Sequence, residues 1–295
     1  MTNLPFIDWF LKKGYAQGAF WAIMIGVVSV SNDVLMCKLG DRFHTVEIVF
    51  FRYLFSMLTV IPFMISKGSY YFKTNRFPLH FVRALIGAIA LGLCCYSVYV
   101  MPLAENTSIM FAQPLFFLPM AYFFLKERVD TARWIATLMG FIGLLIIIRP
   151  GTDTFNMAAL IPVSAALLFA ISNVIVKKMV GGDHIYTLLF YFGLISTFLA
   201  FIPLTFVWKT PHLDELCYLG ALGVGANLIQ VCLFRAYSAA DASSLTPYSY
   251  TEIIISALSG YLFFNQIPHT FLYVGAAIIA ISTFYITIIE AKKSK

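Results

Sequence analysis

Three ionisable side chains lie inside long apolar stretches of the sequence, where charged groups are rare. Asp33, Arg52 and Glu252 are each flanked on both sides by mostly apolar residues. A charged side chain in a membrane helix costs about 2.5–3.5 kcal/mol on insertion scales, so it usually marks a solute pathway or a buried ion pair. A carboxylate binds a cation, and a guanidinium fork binds a carboxylate in bidentate fashion. The set therefore suits a solute with charges of both signs; the alternative is that Arg52 pairs with Asp33 or Glu252 and holds helices together.

Aromatic and polar residues near these charges complete the candidate site. Tyr248 precedes Glu252 by four residues and shares its face of a helix, whereas Tyr250 points roughly to the opposite side. A ring face attracts a cation, so Tyr248 is the better candidate, with packing as its alternative. Packing is also the alternative for Phe51, Phe111 and Gln113. The predicted substrate-binding residues are Asn32, Asp33, Glu47, Phe51, Arg52, Phe111, Gln113, Tyr248, Tyr250 and Glu252.

The elements that position these residues are predicted to be membrane-spanning helices. The 295 residues are 60% hydrophobic and 12% charged, with a mean hydropathy of +0.85, against about 45–50% and about 25% in soluble domains. Because about 20 helical residues cross a bilayer, we predict an all-α integral membrane protein with ten transmembrane helices. The predicted spans are 15–38, 45–66, 80–101, 104–125, 132–149, 156–177, 185–208, 214–236, 243–264 and 269–289.

The distribution of basic residues predicts the orientation of the spans. With a cytoplasmic N-terminus, most of the 20 lysines and arginines fall on the cytoplasmic side. The opposite side holds Lys38, Arg42, Arg149 and Lys209. By the positive-inside rule, both termini are therefore predicted to be cytoplasmic. The same distribution argues against nucleic acid as a partner, because the basic residues lie at span ends rather than on one face.

The second half of the sequence resembles the first. Ala104–Ser108 resembles Ala240–Ser244, and Ser31–Pro62 resembles Ser172–Pro203, at a nearly constant offset. A unit of five spans that is repeated once must lie inverted in its second copy, an architecture common in secondary transporters, which bind substrate near the membrane midplane. We predict a cytoplasmic N-terminus at 1–14, a first five-helix repeat at 15–149, a second, inverted repeat at 150–289 and a cytoplasmic tail at 290–295.

Small residues and prolines indicate how the spans pack and bend. Gly140 and Gly143 in the fifth span, and Gly275 in the tenth, are typical of closely packed membrane helices. We expect these two spans to be scaffold. Pro114 and Pro247 interrupt the hydrogen-bond ladders of the fourth and ninth spans. They are predicted to be hinges or simple kinks.

Several segments resemble a known family. The entries to the fourth and ninth spans, and Phe124–Glu127 after the fourth, resemble the EamA-type drug/metabolite transporters. Within that superfamily, Ser31–Arg52 and Pro247–Asn265 are most similar to the S-adenosylmethionine uptake transporters of intracellular bacteria. The second repeat departs from the pattern at Gln266, where it lacks the acid that Glu127 supplies in the first.

The resemblance implies a carrier of the bacterial inner membrane that imports S-adenosylmethionine, in exchange for its demethylated product S-adenosylhomocysteine. That substrate has a sulfonium, an α-ammonium, an α-carboxylate and an adenine. On this interpretation Asp33 or Glu252 holds the ammonium or the sulfonium, Arg52 holds the carboxylate, and Tyr248 faces the adenine. The alternative within transport is an exporter of amino acids or related small metabolites. Whether transport is coupled to protons stays open at this point.

Neither an enzyme nor a cofactor-binding protein is expected. The sequence contains no Walker-type nucleotide motif, no CxxC pair and no histidine spacing typical of a metal site. A membrane enzyme would need a nucleophile and a base within the spans, and the sequence displays no such set. The expected partners are a small-molecule substrate and membrane lipid, and the chain is expected to act as a monomer or homodimer.

Overall fold

Apolar helices make up the fold. The computed structural model describes residues 15–68, 72–125, 131–148, 156–179, 182–239, 251–267 and 270–293, and no β-strand lies within these ranges. A short 3-10 turn, Met157–Ala159, leads into the seventh helix. The helices are α1 (Tyr15–Gly40), α2 (Thr45–Lys67), α3 (Phe77–Val100), α4 (Leu103–Met110), α5 (Gln113–Leu125), α6 (Thr131–Ile148), α7 (Leu160–Met179), α8 (Ile185–Leu204), α9 (Leu213–Ala239), α10 (Thr251–Phe264) and α11 (Thr270–Lys293).

The helices have the length and composition of membrane spans. Within the described ranges, seven helical segments are long and apolar enough to cross a bilayer. Three shorter apolar helices lie at Thr137–Ile148, Thr251–Phe264 and Thr270–Ser282. The expectation of an all-α membrane protein is therefore confirmed. The number of ten crossings, the inversion of the second repeat and the cytoplasmic termini remain predictions.

Local signals in the sequence set several helix ends. His44 precedes α2 and its ring accepts the amide N–H two residues further on, at 3.3 Å; His184 does the same for α8, at 3.4 Å. Such caps satisfy donors that the first helical turn leaves unpaired. Gly68 ends α2 with a φ of 103°, a backbone conformation that glycine adopts readily. Pro78 lies in the first turn of α3, where a missing N–H costs nothing.

The fourth span, predicted as one helix over 104–125, consists of two helices. α4 closes with the amide of Phe111 donating to the Thr107 carbonyl at 3.1 Å, and α5 opens with the amide of Leu115 donating to the Ala112 carbonyl at 2.9 Å. Pro114 has no N–H to donate one turn back, so an uninterrupted ladder cannot form through this position. At the hinge or kink predicted for Pro114, the chain therefore has a break between two helices, near the middle of the predicted span.

α6 and α11 pack closely, as the small residues predicted. A Cβ atom at position 275 would lie 2.6 Å from the Gly143 carbonyl oxygen and 2.5 Å from the Ile147 side chain. A Cβ at position 140 would lie 3.0 Å from the Ser282 side chain of α11. Small residues permit such close approaches, which are a main source of helix association in lipid. These two helices therefore form a closely packed pair beside the rest of the bundle.

Helices of the first half of the chain pack mainly against helices of the second half. α1 packs on α9 and α10, α2 on α8 and α9, and α3 on α7 and α8. The main buried core lies where these helices meet, and it includes Val34, Phe51, Leu91 and Leu222 from four different helices. The interface between the halves is therefore the centre of the molecule, and the predicted charges lie in the helices that line it.

Candidate substrate site

The structure brings the three predicted charges together. Asp33 in α1 lies within electrostatic range of both Arg52 in α2 and Glu252 in α10, and Cys94 in α3 lies within range of all three. Protein surrounds Asp33 and Glu252 closely, yet part of each residue's surface stays accessible. That combination is typical of side chains that line an internal hollow. We call Asp33, Arg52 and Glu252 the charge cluster.

The members of the charge cluster do not form a close ion pair. Within the described residues, no carboxylate oxygen lies within 4.0 Å of the Arg52 guanidinium. Its Nη1 atom instead donates a hydrogen bond to the thioether sulfur of Met36, at 3.1 Å. The alternative interpretation, in which Arg52 simply ties helices together through an acid, is therefore not supported in this conformation. The charge of Arg52 is therefore not neutralised by a close contact with either acid of the cluster.

Gly26 allows α10 to approach α1 at the charge cluster. A Cβ at position 26 would lie 3.2 Å from the Cβ and 3.3 Å from the Cα of Glu252. One turn further along α1, the Ser29 side chain hydrogen-bonds to the Glu252 carboxyl group. The position of this acid, which comes from the second half of the chain, is thus set directly by the helix that carries Asp33.

Gly26→Val is expected to lower transport about tenfold, because the added methyl groups overlap α10 and move Glu252 away from Asp33; overpacking of this kind costs about 1–3 kcal/mol. Gly92→Val is the matched control, since a Cβ at position 92 meets no atom within 4 Å. Initial uptake rates, divided by the amount of each variant in the membrane, provide the measurement. Equal losses in the two variants would contradict the role given to Gly26.

Asn32 contributes a buried polar group beside the charge cluster. It is 3% exposed, and its amide Nδ2 atom has no hydrogen-bond partner. A Cβ at position 225 would overlap the Asn32 side chain, so Gly225 in α9 makes the room for it. A buried N–H without a partner is costly, and a solute acceptor or water would satisfy it.

Two of the predicted residues have contacts that account for them without a solute. Phe51 is 5% exposed, stacks on Phe55 with 6.3 Å between ring centroids, and lies 5.8 Å from the ring of Trp208. Glu47 is fully buried, and its carboxylate accepts the backbone N–H of His44 at 3.0 Å and that of Lys209. Packing explains the first residue, and helix capping with a tie to the segment before α9 explains the second.

Two further predicted residues lie at the break in the fourth span. Phe111 and Gln113 flank the break between α4 and α5, and both are partly exposed. Tyr248 and Tyr250 lie outside the described residues. Both therefore stay predictions.

α4 is joined to the helix that carries Glu252. The hydroxyls of Thr107 and Ser256 lie 2.8 Å apart, and the amide of Leu103 donates to Gln266 Oε1 at 2.8 Å. Gln266, which interrupted the repeat in the sequence, thus caps a helix of the other half.

Sequence reasoning missed four residues beside the charge cluster: Ser29, Met36, Cys94 and Cys95. Helical spacing carried a signal for two of them, because Ser29 and Met36 lie four before and three after Asp33, on the same side of α1. The two cysteines are free thiols, as predicted. They lie close to the charge cluster because of the way α3 packs, and the sequence of α3 alone does not reveal that packing.

Polar contacts join the two halves at opposite ends of α2. Near its start, Arg42 forms an ion pair with Glu215, and Lys209 Nζ donates to the Arg42 carbonyl at 2.9 Å; we call these residues the Arg42 cluster. Beyond its end, His80 Nε2 and Asp183 Oδ2 lie 3.2 Å apart, and we call this pair the His80 cluster. The charge cluster lies between them along the bundle.

Apolar helices around charged groups that are not paired with one another are typical of multi-pass membrane transporters. The model of the EamA-like transporter family matches residues 16–149 and again residues 156–288. The chain belongs to this family, and it is a multi-pass inner-membrane protein.

Curated relatives of the chain include transporters of several solutes. It is 36% identical over 280 residues to an S-adenosylmethionine uptake transporter of Rickettsia bellii, covering 95% of this chain and 96% of the relative. It is 32% identical over 293 residues to a riboflavin transporter of Vibrio cholerae, covering 97% of each. A pseudopaline exporter of Pseudomonas aeruginosa is 27% identical over 90% of this chain and 94% of its own.

A solved crystal structure has the same fold. It superposes with a TM-score of 0.65 at 16% identity and covers 93% of this chain and 99% of its own. At that identity it bears on the fold alone.

Proposed function

We propose that the protein is a secondary transporter that imports S-adenosylmethionine across the inner membrane in exchange for S-adenosylhomocysteine. The substrate binds between two inverted five-helix repeats, and both termini are cytoplasmic. The charge cluster carries the proposal, since its two acids and one arginine come from both halves of the chain and have no close ionic partner among the described residues. The two successive family matches support the two repeats.

The charges of the cluster complement those of S-adenosylmethionine. The substrate has two cations, the sulfonium and the α-ammonium, and one anion, the α-carboxylate. Arg52 binds the carboxylate through its guanidinium fork. The ammonium and the carboxylate are bonded to the same carbon atom, so the ammonium lies close to Arg52. It therefore binds Asp33, the acid that lies within electrostatic range of Arg52. Glu252, whose charged neighbour is Asp33, then receives the sulfonium.

The remaining part of the substrate is the adenosyl group. Phe111 and Gln113 at the broken fourth span are the proposed wall for it, together with Tyr248 and Tyr250. An aromatic face stacks on the purine and attracts the adjacent sulfonium. The unpartnered amide of Asn32 is suited to donate to a purine nitrogen or a ribose oxygen.

Riboflavin is a second candidate because a riboflavin transporter is 32% identical to the chain. Riboflavin carries no fixed charge at neutral pH, so it would leave the three ionisable groups of the charge cluster without a charged partner in the solute. Such groups are expensive in a membrane interior. An exported amino acid would bind to Arg52 and one acid, and the second acid would have no charged partner in the solute. The charge cluster therefore favours a solute with two cations and one anion.

Contacts between the two halves on both sides of the charge cluster support the alternating access that exchange requires. The Arg42 cluster and the His80 cluster join the halves on opposite sides of the charge cluster. Alternating access opens one of these clusters while the other stays closed, around a fixed site. Substrate and product share the amino-acid and adenosine parts, so one site serves both without a coupling ion.

The test is countertransport in proteoliposomes that contain the purified full-length protein. Uptake of labelled S-adenosylmethionine is expected to rise several-fold when the vesicles are preloaded with S-adenosylhomocysteine, because the carrier returns to its outward-facing state only with bound product. Excess unlabelled S-adenosylhomocysteine outside should inhibit, and riboflavin or free amino acids should not. Uptake of riboflavin alone would move the assignment to the second candidate, and uptake without acceleration by product would rule out obligatory exchange.

A further inference from the structure

The thioether of Met36 holds Arg52 from inside the protein. Its Sδ atom accepts one hydrogen bond from Arg52 Nη1 and one from Cys95 Sγ, both at 3.1 Å. Met36 is 1% exposed and Cys95 is 2% exposed, so neither sulfur faces open space. The contact joins α1, α2 and α3, and it lies one turn along α1 from Asp33.

The chemical nature of this acceptor matters for the arginine. A thioether is a weak acceptor without charge, whereas a guanidinium has N–H donors on all three nitrogens. The sulfur therefore fixes one of these donors and leaves the positive charge and the other donors available. A carboxylate in the same place would neutralise Arg52 and compete with any anionic group of the solute. Holding a cation through a neutral atom suits a group whose ionic partner arrives with the substrate.

The surroundings of Met36 make the contact a fixed one. Met36 belongs to the main buried core together with Val34 and Leu91, and methionine fills irregular gaps because its chain is flexible. Cys95, which donates to the same sulfur, limits the position of that flexible chain. The sulfur thus stays where Arg52 meets it, and the guanidinium keeps one orientation before the substrate binds.

We propose that Met36 is a positioning residue that presents Arg52 to the substrate carboxylate and so makes the site selective for solutes with an α-carboxylate. The inference rests on the proposed function. It predicts that loss of the sulfur weakens the recognition of the carboxylate and leaves the recognition of the rest of the substrate intact.

Met36→Leu removes the acceptor while keeping an apolar side chain of similar volume. The KM for S-adenosylmethionine is expected to rise about two- to tenfold, the effect of one lost hydrogen bond, with little change in maximal rate. The inhibition constant of decarboxylated S-adenosylmethionine, which lacks only the carboxylate, should stay the same. Met64→Leu is the matched control: Met64 is fully buried in the same helix as Arg52, and both constants should match the wild type.

The outcomes separate this inference from the proposed function. If the wild type transports S-adenosylmethionine and Met36→Leu weakens both ligands equally, Met36 acts by packing and the inference is wrong. Unchanged constants for both ligands would also overturn it. A wild type that does not transport S-adenosylmethionine contradicts the proposed function first. If Met36→Leu does not reach the membrane, Cys95→Ala is the second variant, since it removes the other contact of the sulfur. It is expected to raise the KM for S-adenosylmethionine relative to the inhibition constant of decarboxylated S-adenosylmethionine.

Discussion

Replacement of Arg52 by alanine is expected to lower the uptake of S-adenosylmethionine at least about a hundredfold. A hydrogen bond to a charged group contributes about 1.5–3 kcal/mol, and the bidentate contact with the substrate carboxylate comprises two of them. Arg52→Lys keeps the charge but loses the planar fork, so it should retain an intermediate rate. Initial rates at a substrate concentration well below KM, corrected for the amount of protein in the membrane, measure both effects.

Arg235→Ala is the matched control for this experiment. Arg235 lies in α9, is exposed, and its guanidinium lies 5.5 Å from the centre of the Trp21 ring. Exposed cation–π contacts contribute about 0.5–1 kcal/mol, so the rate should fall less than about fivefold. Comparable losses in Arg235→Ala and Arg52→Ala would indicate a general effect of charge removal. A properly inserted Arg52→Ala protein with normal uptake would exclude the guanidinium from the site.

Much of this architecture could be predicted because lipid imposes simple rules on a sequence. Apolar length placed the helices within a few residues, and the cost of charge in a membrane singled out Asp33, Arg52 and Glu252. Small residues predicted the close approach of α6 and α11. Each of these inferences depends on residue type and position along one helix, which the sequence states directly.

The contacts between helices were harder to predict, because they depend on rotation and distance that apolar segments do not encode. Glu47 illustrates this limit: its cost in a span suggested a ligand role, yet its carboxylate accepts backbone N–H groups of His44 and Lys209. The same charge cost applies to a cap and to a binding residue. Met36 illustrates the converse, since an apolar residue gave no reason to expect a contact with Arg52.

Although the sequence contains an internal repeat, the charge cluster is not distributed equally between the two halves. Two of the three charges belong to the first half of the chain and one to the second, so the pseudo-twofold axis does not relate them. An asymmetric substrate with different groups at its two ends needs an asymmetric site. Under the proposed function, the two repeats are the scaffold, and residues that differ between them recognise the substrate.

Because the site is asymmetric, the roles of Asp33 and Glu252 can be distinguished by measuring two different ligands. S-adenosylmethionine and S-adenosylhomocysteine share the ammonium and the carboxylate, and they differ in the charge at sulfur. Glu252→Gln is expected to weaken S-adenosylmethionine about ten- to a hundredfold, as the loss of a charge pair near 4 Å in a partly polar interior allows. It should leave the inhibition constant of S-adenosylhomocysteine nearly unchanged. Asp33→Asn should weaken both ligands by similar factors, because both carry the ammonium.

The two variants control each other, since each replaces an acid by its neutral isostere in the same cluster. A general disturbance of the hollow would affect both ligands in both variants, and that result would remove the assignment of Glu252 to the sulfonium. In the reverse pattern, Asp33→Asn would weaken only S-adenosylmethionine and Glu252→Gln would weaken both ligands. The roles of the two acids would then be exchanged, and the substrate would bind in the opposite orientation. Because Asp33 is the acid within range of Arg52, and the ammonium and carboxylate share one carbon atom, the first pattern is the one that the geometry favours.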